Sequence, residues 1–145
     1  MKKPVVSKNA IKIPSSPEFL SEVDIFVESK LQNYGIDRST IADIAISVTE
    51  MVNNGITHGN KLNYDKIVTI SVSKSDARVK IVVTDEGDGF NPDTIESPIE
   101  EKNLLKEVGR GIFIARSLMD EVKIDFLPGR GTRVTLTKHI ADLSV

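Results

Sequence analysis

Cysteine is absent from this 145-residue chain, which excludes disulfides and thiolate metal sites. No apolar run approaches the roughly 20 residues needed to cross a bilayer, and nothing near the start has the apolar core of a secretion signal. Polybasic runs are missing too. Only Lys2 and Lys3 stand together as a basic pair at the start, and the 19 basic and 21 acidic side chains of the whole chain nearly cancel, leaving nucleic acid no electrostatic footprint. These absences lead to the expectation of a soluble cytoplasmic protein with no membrane segment and no direct nucleic-acid partner. What is present, 39% hydrophobic residues, fits one compact domain over residues 1–145 with an ordinary core.

The apolar spacing divides the chain into elements. Ala10 to Ile13 alternates and reads as an edge strand. Ser15-Ser16-Pro17-Glu18 has the form of a helix start, and Phe19, Val23, Phe26, Val27 and Leu31 then recur at helical spacing up to Asn33-Tyr34-Gly35. A second helix is expected from about Asp37 to His58-Gly59-Asn60. Val68 to Ser73 and Arg78 to Asp85 alternate strictly and form a hairpin. The polar stretch from Asn91 to Val108, with Pro92 and Pro98, reads as an insertion or a mobile lid. A third helix is expected over Gly111 to Asp120, and a closing hairpin over Val122 to Leu127 and Thr132 to Thr137. This order suggests a two-layer α/β sandwich of the α+β kind. Three helices would cover one face of a mixed, mostly antiparallel sheet.

The most informative stretch is Thr49 to Asn60, TEMVNNGITHGN. Four residues are about one helical turn, so Glu50, Asn54 and His58 form a stripe. Opposite it lie Ile41, Ile44, Val48, Val52 and Gly55, the face that packs on a sheet. The oxygen of Asn54 suits one ligand position on a magnesium nucleotide, since that ion takes hard oxygen donors and keeps several waters. Glu50 is then placed to accept a proton from an attacking hydroxyl or water. A solvated polar face ending in ordinary helix-terminating residues remains the alternative. Asn53, Asn54 and Gly55 are all weak helix formers, a local cost that function would explain. His58 reads as a helix-end residue and receives no catalytic role.

Two glycine clusters follow. In Asp85-Glu86-Gly87-Asp88-Gly89, Asp85 shares strand parity with Val79, Ile81 and Val83, so its carboxylate points toward the buried layer and needs a donor. The exocyclic amino group of adenine would serve, with Gly87 and Gly89 admitting the ring closely. A plain turn closing the strand is the other reading. Gly109-Arg110-Gly111 is expected just before the third helix, whose first amides would hold phosphate oxygens with help from Arg110; a simple loop end remains open. Thr132, after Gly129-Arg130-Gly131, could aim its hydroxyl at Asp85, or be an ordinary strand threonine.

In this order the motifs resemble the GHKL superfamily of ATP-binding domains, and most nearly the bacterial anti-sigma factor serine/threonine kinases of the RsbW and sporulation type. The resemblance runs from about Ile11 to Lys138, and SVTEMVNNGITHGN and GRGIFIARSLMDEV carry most of it. It implies a Bergerat-type ATP fold, with ATP and Mg2+ as cofactors. It implies phosphorylation of a serine on a STAS-domain anti-anti-sigma protein, binding of a sigma factor, and a homodimer. Residue by residue, it makes Glu50 the general base, Asn54 the magnesium ligand and Asp85 the adenine acceptor with Gly89 beside the base. Gly109 and Gly111 fall at the lid end near the phosphates, and Thr132 supports adenine through Asp85. Histidine kinases carry asparagine followed by a basic residue in the matching helix, whereas this chain has Glu50 and then Thr57-His58, a departure that favours hydroxyl or water activation over transfer to histidine. Two alternatives stand beside the kinase: a nucleotide-gated module that sequesters a partner without phosphotransfer, and a GHKL ATPase.

Overall fold

The computed structural model describes residues 2–87 and 98–140, with 98–105 as backbone alone. The chain runs β1 (Val5–Val6), β2 (Ala10–Pro14), α1 (Leu20–Asn33), α2 (Arg38–Asn54), β3 (Ile67–Ser75), β4 (Arg78–Thr84), α3 (Pro98–Leu118), β5 (Glu121–Leu127) and β6 (Gly131–His139). The strands form a six-stranded sheet in the order β1-β2-β3-β4-β6-β5. Every pairing in it is antiparallel. Among the described residues no helix is long and apolar enough to cross a membrane.

Period-two patterning sets the register. Ile70 pairs with Val83 and Val72 with Ile81, and the latter two strand positions pair onward with Val134 and Leu136. A shift of one residue would turn every one of these side chains out of the core. In register, all six are buried against the helical layer. Val23, Val27 and Leu31 from α1, and Ile41, Ile44, Val48 and Val52 from α2, close the other side. α2 starts at Asp37, whose Oδ2 accepts from the Thr40 N–H at 3.1 Å while Oδ1 accepts from the Thr40 hydroxyl at 2.7 Å. The side-chain hydrogen bond from Thr40, then the backbone one, holds the Asp37 carboxyl below its ordinary value.

Three expectations change. The Ala10 strand is not the edge, because Val5–Val6 pairs outside it. Ser16 occupies the cap position but makes no side-chain cap bond, and a short turn of 3-10 helix, Pro17–Phe19, precedes α1. The largest change is in α3, which begins at Pro98 rather than near Gly111. Val108, Ile112, Ala115 and Met119 keep a helical spacing across the two glycines, so the packing face continues where the glycines suggested a stop. Of the segment expected as a lid, 91–97 lies outside the described residues and 98–108 is the first half of α3.

α2 also ends in an unexpected way. After Asn54 the helix widens into a π turn, Gly55–Gly59, closed by the Asn60 N–H donating to the Gly55 carbonyl at 2.8 Å. The weak helix formers Asn53, Asn54 and Gly55 lower the cost of this departure. Such widened turns gather at functional sites.

Candidate functional site

Asp85 leaves the end of β4 on the inner face, as strand parity requires, and is 6% exposed. Its backbone N–H donates to the Thr132 carbonyl at 3.0 Å, which ties the exit of β4 to the entry of β6. The Oδ1 atom accepts two backbone hydrogen bonds, from Gly87 at 2.9 Å and from Thr132 at 3.1 Å. Among the described residues no donor is bonded to Oδ2. Burial pushes the Asp85 carboxyl above its ordinary value, and the hydrogen bonds from Gly87 and Thr132, with the Lys66 charge, pull the other way. Thr132 therefore reaches Asp85 through its main chain, where the sequence suggested its hydroxyl.

Glycine makes this close packing feasible. A Cβ on Gly59 would fall on the Asp85 carboxylate, and one on Gly131 would strike the Asp85 carbonyl. Gly131 also has φ +105°, a conformation other residues rarely adopt.

Asp85 forms the polar floor of a cavity of about 60 Å³. Met51, Val83, Ile124 and Val134 give it apolar walls, and Thr132 and Gly59 flank the carboxylate. Asn54 and His58 line it from the α2 side, and Val108 and Ile112 line it from α3. Apolar walls around one buried acceptor match the chemistry of a heteroaromatic ring carrying an amino group, and a space of this volume holds only part of such a ring.

Glu50, one turn before Asn54, is half-buried and does not line this cavity. It borders the adjacent groove between α1 and α2, together with Leu20, Asp24, Glu28 and Ile46. Gly111 joins the two residues from above, since a Cβ there would lie 3.2 Å from Glu50 Oε2 and 3.2 Å from Asn54 Nδ2. Thus Asn54 and Asp85 share one cavity, and Glu50 meets Asn54 under α3.

The Gly109-Arg110-Gly111 segment does not stand at a helix N-terminus. It lies inside α3, where its amides are within a continuing helix rather than free to hold an anion. Gly109 and Arg110 are exposed, and nothing approaches the Cβ position of Gly109 within 4 Å. Gly89 lies outside the described residues. His58 Nε2 and Glu107 Oε2 are 3.0 Å apart and tie the π turn to α3.

Sequence reasoning missed Asn60. It is 1% exposed and bonds to three different segments around Asp85. The only sequence signal was an asparagine directly after a helix-ending glycine, which ordinary helix termini share.

A family model described as the histidine kinase-like ATPase domain matches residues 13–138. The serine-protein kinase RsbW of Staphylococcus aureus is 32% identical over 137 residues, covering 90% of this chain and 85% of that protein. Among solved structures, the RsbU and RsbW domains of Rv1364c from Mycobacterium tuberculosis align with a TM-score of 0.65 at 23% identity, over 96% of this chain and 32% of that one. The catalytic domain of histidine kinase ThkA aligns with a TM-score of 0.53 at 14% identity, over 90% and 97% of the two chains. At these identities the two structures speak for the fold alone.

Proposed function

Because this chain belongs to the histidine kinase-like ATPase domain family and groups there with serine-protein kinase RsbW, we propose that it is an ATP-dependent protein serine/threonine kinase acting as an anti-sigma factor. Its acceptor is a serine on a STAS-domain anti-anti-sigma protein, and its regulatory target is a sigma factor, the two partners competing in a switch. A homodimer and a cytoplasmic location belong to the same proposal. One observation carries it: Asn54 and Asp85, from separate elements, line one cavity, and Glu50 lies a turn from Asn54.

The residues present fit the nucleotide. Asp85 Oδ2 is an acceptor without a donor among the described residues, and the exocyclic amino group of adenine supplies one. Among the described residues no three acidic or histidine groups gather to hold a metal by themselves. A magnesium ion arriving with the phosphates would be held on the protein side by the Asn54 oxygen. When bound, magnesium ATP supplies the phosphoryl group and masks its negative charge. Glu50 takes the proton of the acceptor hydroxyl as that oxygen bonds to the γ-phosphorus. The bond from the γ-phosphorus to the bridging oxygen breaks, and its electron pair leaves with ADP. Residues 91–108 act as the lid, and Gly109, Arg110 and Gly111 meet the phosphates only once α3 opens there.

Incubation with γ-labelled ATP and candidate STAS proteins tests the reading. Glu50→Ala is expected to bind nucleotide as the wild type does yet lose transfer by about 10²-fold or more. Asn54→Ala should weaken the magnesium-dependent part of binding. Transfer by Glu50→Ala at the wild-type rate would contradict the role given to Glu50, and phosphate release without a phosphoprotein would favour the ATPase alternative.

A further inference from the structure

The Asn60 carboxamide uses both ends. Nδ2 donates to Ser15 Oγ at 2.8 Å and to the Ile67 carbonyl at 3.1 Å, and Oδ1 accepts from the Glu86 N–H at 2.8 Å. The Ser15 hydroxyl in turn donates to the Lys66 carbonyl at 2.6 Å, and the Ile67 N–H donates to Glu86 Oε1. One buried side chain thus fastens together the exit of β2, the entry of β3, the exit of β4 and the end of the α2 π turn. The chain directly after it, Lys61 and Leu62, is held at φ 53° and 59°, in the left-handed region that ordinary residues seldom enter. Strained backbone of this kind persists where its surroundings fix it.

The clasp closes on the binding site from two sides. The Glu86 N–H belongs to the peptide unit that contains the Asp85 carbonyl, and that carbonyl packs against Gly131. Asn60 also follows Gly59, where a Cβ would fall on the Asp85 carboxylate. A single residue therefore sets both the peptide that carries Asp85 and the wall against which its Oδ2 rests.

We propose that Asn60 is a positioning residue for the nucleobase, holding the Asp85–Glu86 peptide so that the carboxylate selects a base with an exocyclic amino group, without itself touching the nucleotide. The proposal rests on the reading of Asp85 as the adenine acceptor. The clasp uses two donors and one acceptor on the same planar group, which a carboxamide supplies; alanine offers none of these.

The test compares calorimetric affinities for ATP and for purine riboside triphosphate, the same nucleotide without the 6-amino group. The wild type is expected to prefer ATP by about tenfold or more, the loss usual when a buried charged acceptor is left without its donor. Asn60→Ala should lose most of that preference, by weakening ATP while the analogue changes by less than about threefold. Ser15→Ala is a milder change that slackens the clasp from its far end, and it should lower the preference in the same direction, so the proposal stays open to refutation if Asn60→Ala does not fold. Equal weakening of both nucleotides, or an unchanged preference in Ser15→Ala and in any folded Asn60→Ala, would overturn the positioning role. A wild type without preference would overturn the reading of Asp85, and this inference with it.

Discussion

A buried carboxylate with one oxygen committed to its own protein and the other bonded to no described donor is chemically incomplete, and Asp85 is such a group. Its raised affinity for a proton has two consequences of opposite sign. The folded state binds that proton more readily than the unfolded chain, so the contribution of Asp85 to stability falls as pH rises from 3.8 through the folded value. Nucleotide binding should move the other way. With Oδ1 occupied by two N–H donors, the proton would sit on Oδ2 and turn the acceptor for the adenine amino group into a donor. ATP affinity measured against pH is therefore expected to rise through a midpoint above the ordinary carboxylate value. Asp85→Asn should abolish that rise and leave the protein without ligand no less stable at pH 7, because an uncharged group takes the buried place. A profile flat in both proteins would remove Asp85 from the base contact.

At the scale of elements, α3 is the helix that carries two glycines in its interior. Gly109 and Gly111 cost it together about 2 kcal/mol relative to alanine. It meets the site through Val108 and Ile112 on the cavity, through Gly111 packed over Glu50 and Asn54, and through the contact of Glu107 with His58. A helix so weakened is a fitting place for phosphate to break. Gly109→Ala adds a methyl group to open space, so it should stabilise α3 by up to about 1 kcal/mol and weaken ATP binding by about fivefold. Thermal melting and ATP titration of the same variant check the two together, and tighter binding after a raised melting temperature would refute the opening of α3.

The same element marks the boundary of what the sequence discloses. α1, α2 and the paired strands were legible because periods of 3.6 and 2 run through them unbroken, as in Val79, Ile81 and Val83. The start of α3 was not, since Gly109-Arg110-Gly111 has the composition of a helix boundary and only tertiary packing carries the helix across it. The π turn leaves no trace in composition. Glu50, Asn54 and Asp85 could be singled out because their types and spacings are chemically unusual for their elements. Asn60 escaped because its partners Ser15, Ile67 and Glu86 lie 45, 7 and 26 residues away, and sequence spacing does not reveal such a convergence.

For the molecule as a whole, the antiparallel sheet and its helical layer bring the ends of β4, β6 and α2 to one place. The apolar core fixes that meeting point, and the site spends some of the stability so gained on a buried carboxylate and two glycines in α3. The roles of Glu50, Asn54 and Asp85 all depend on this convergence being a nucleotide site. Calorimetric titration of magnesium ATP into the wild type and into Asp85→Asn tests it most directly. One nucleotide per chain in the wild type, with affinity lost by about tenfold or more in Asp85→Asn, is the result expected; equal binding by the two proteins, or no heat from the wild type, would contradict it.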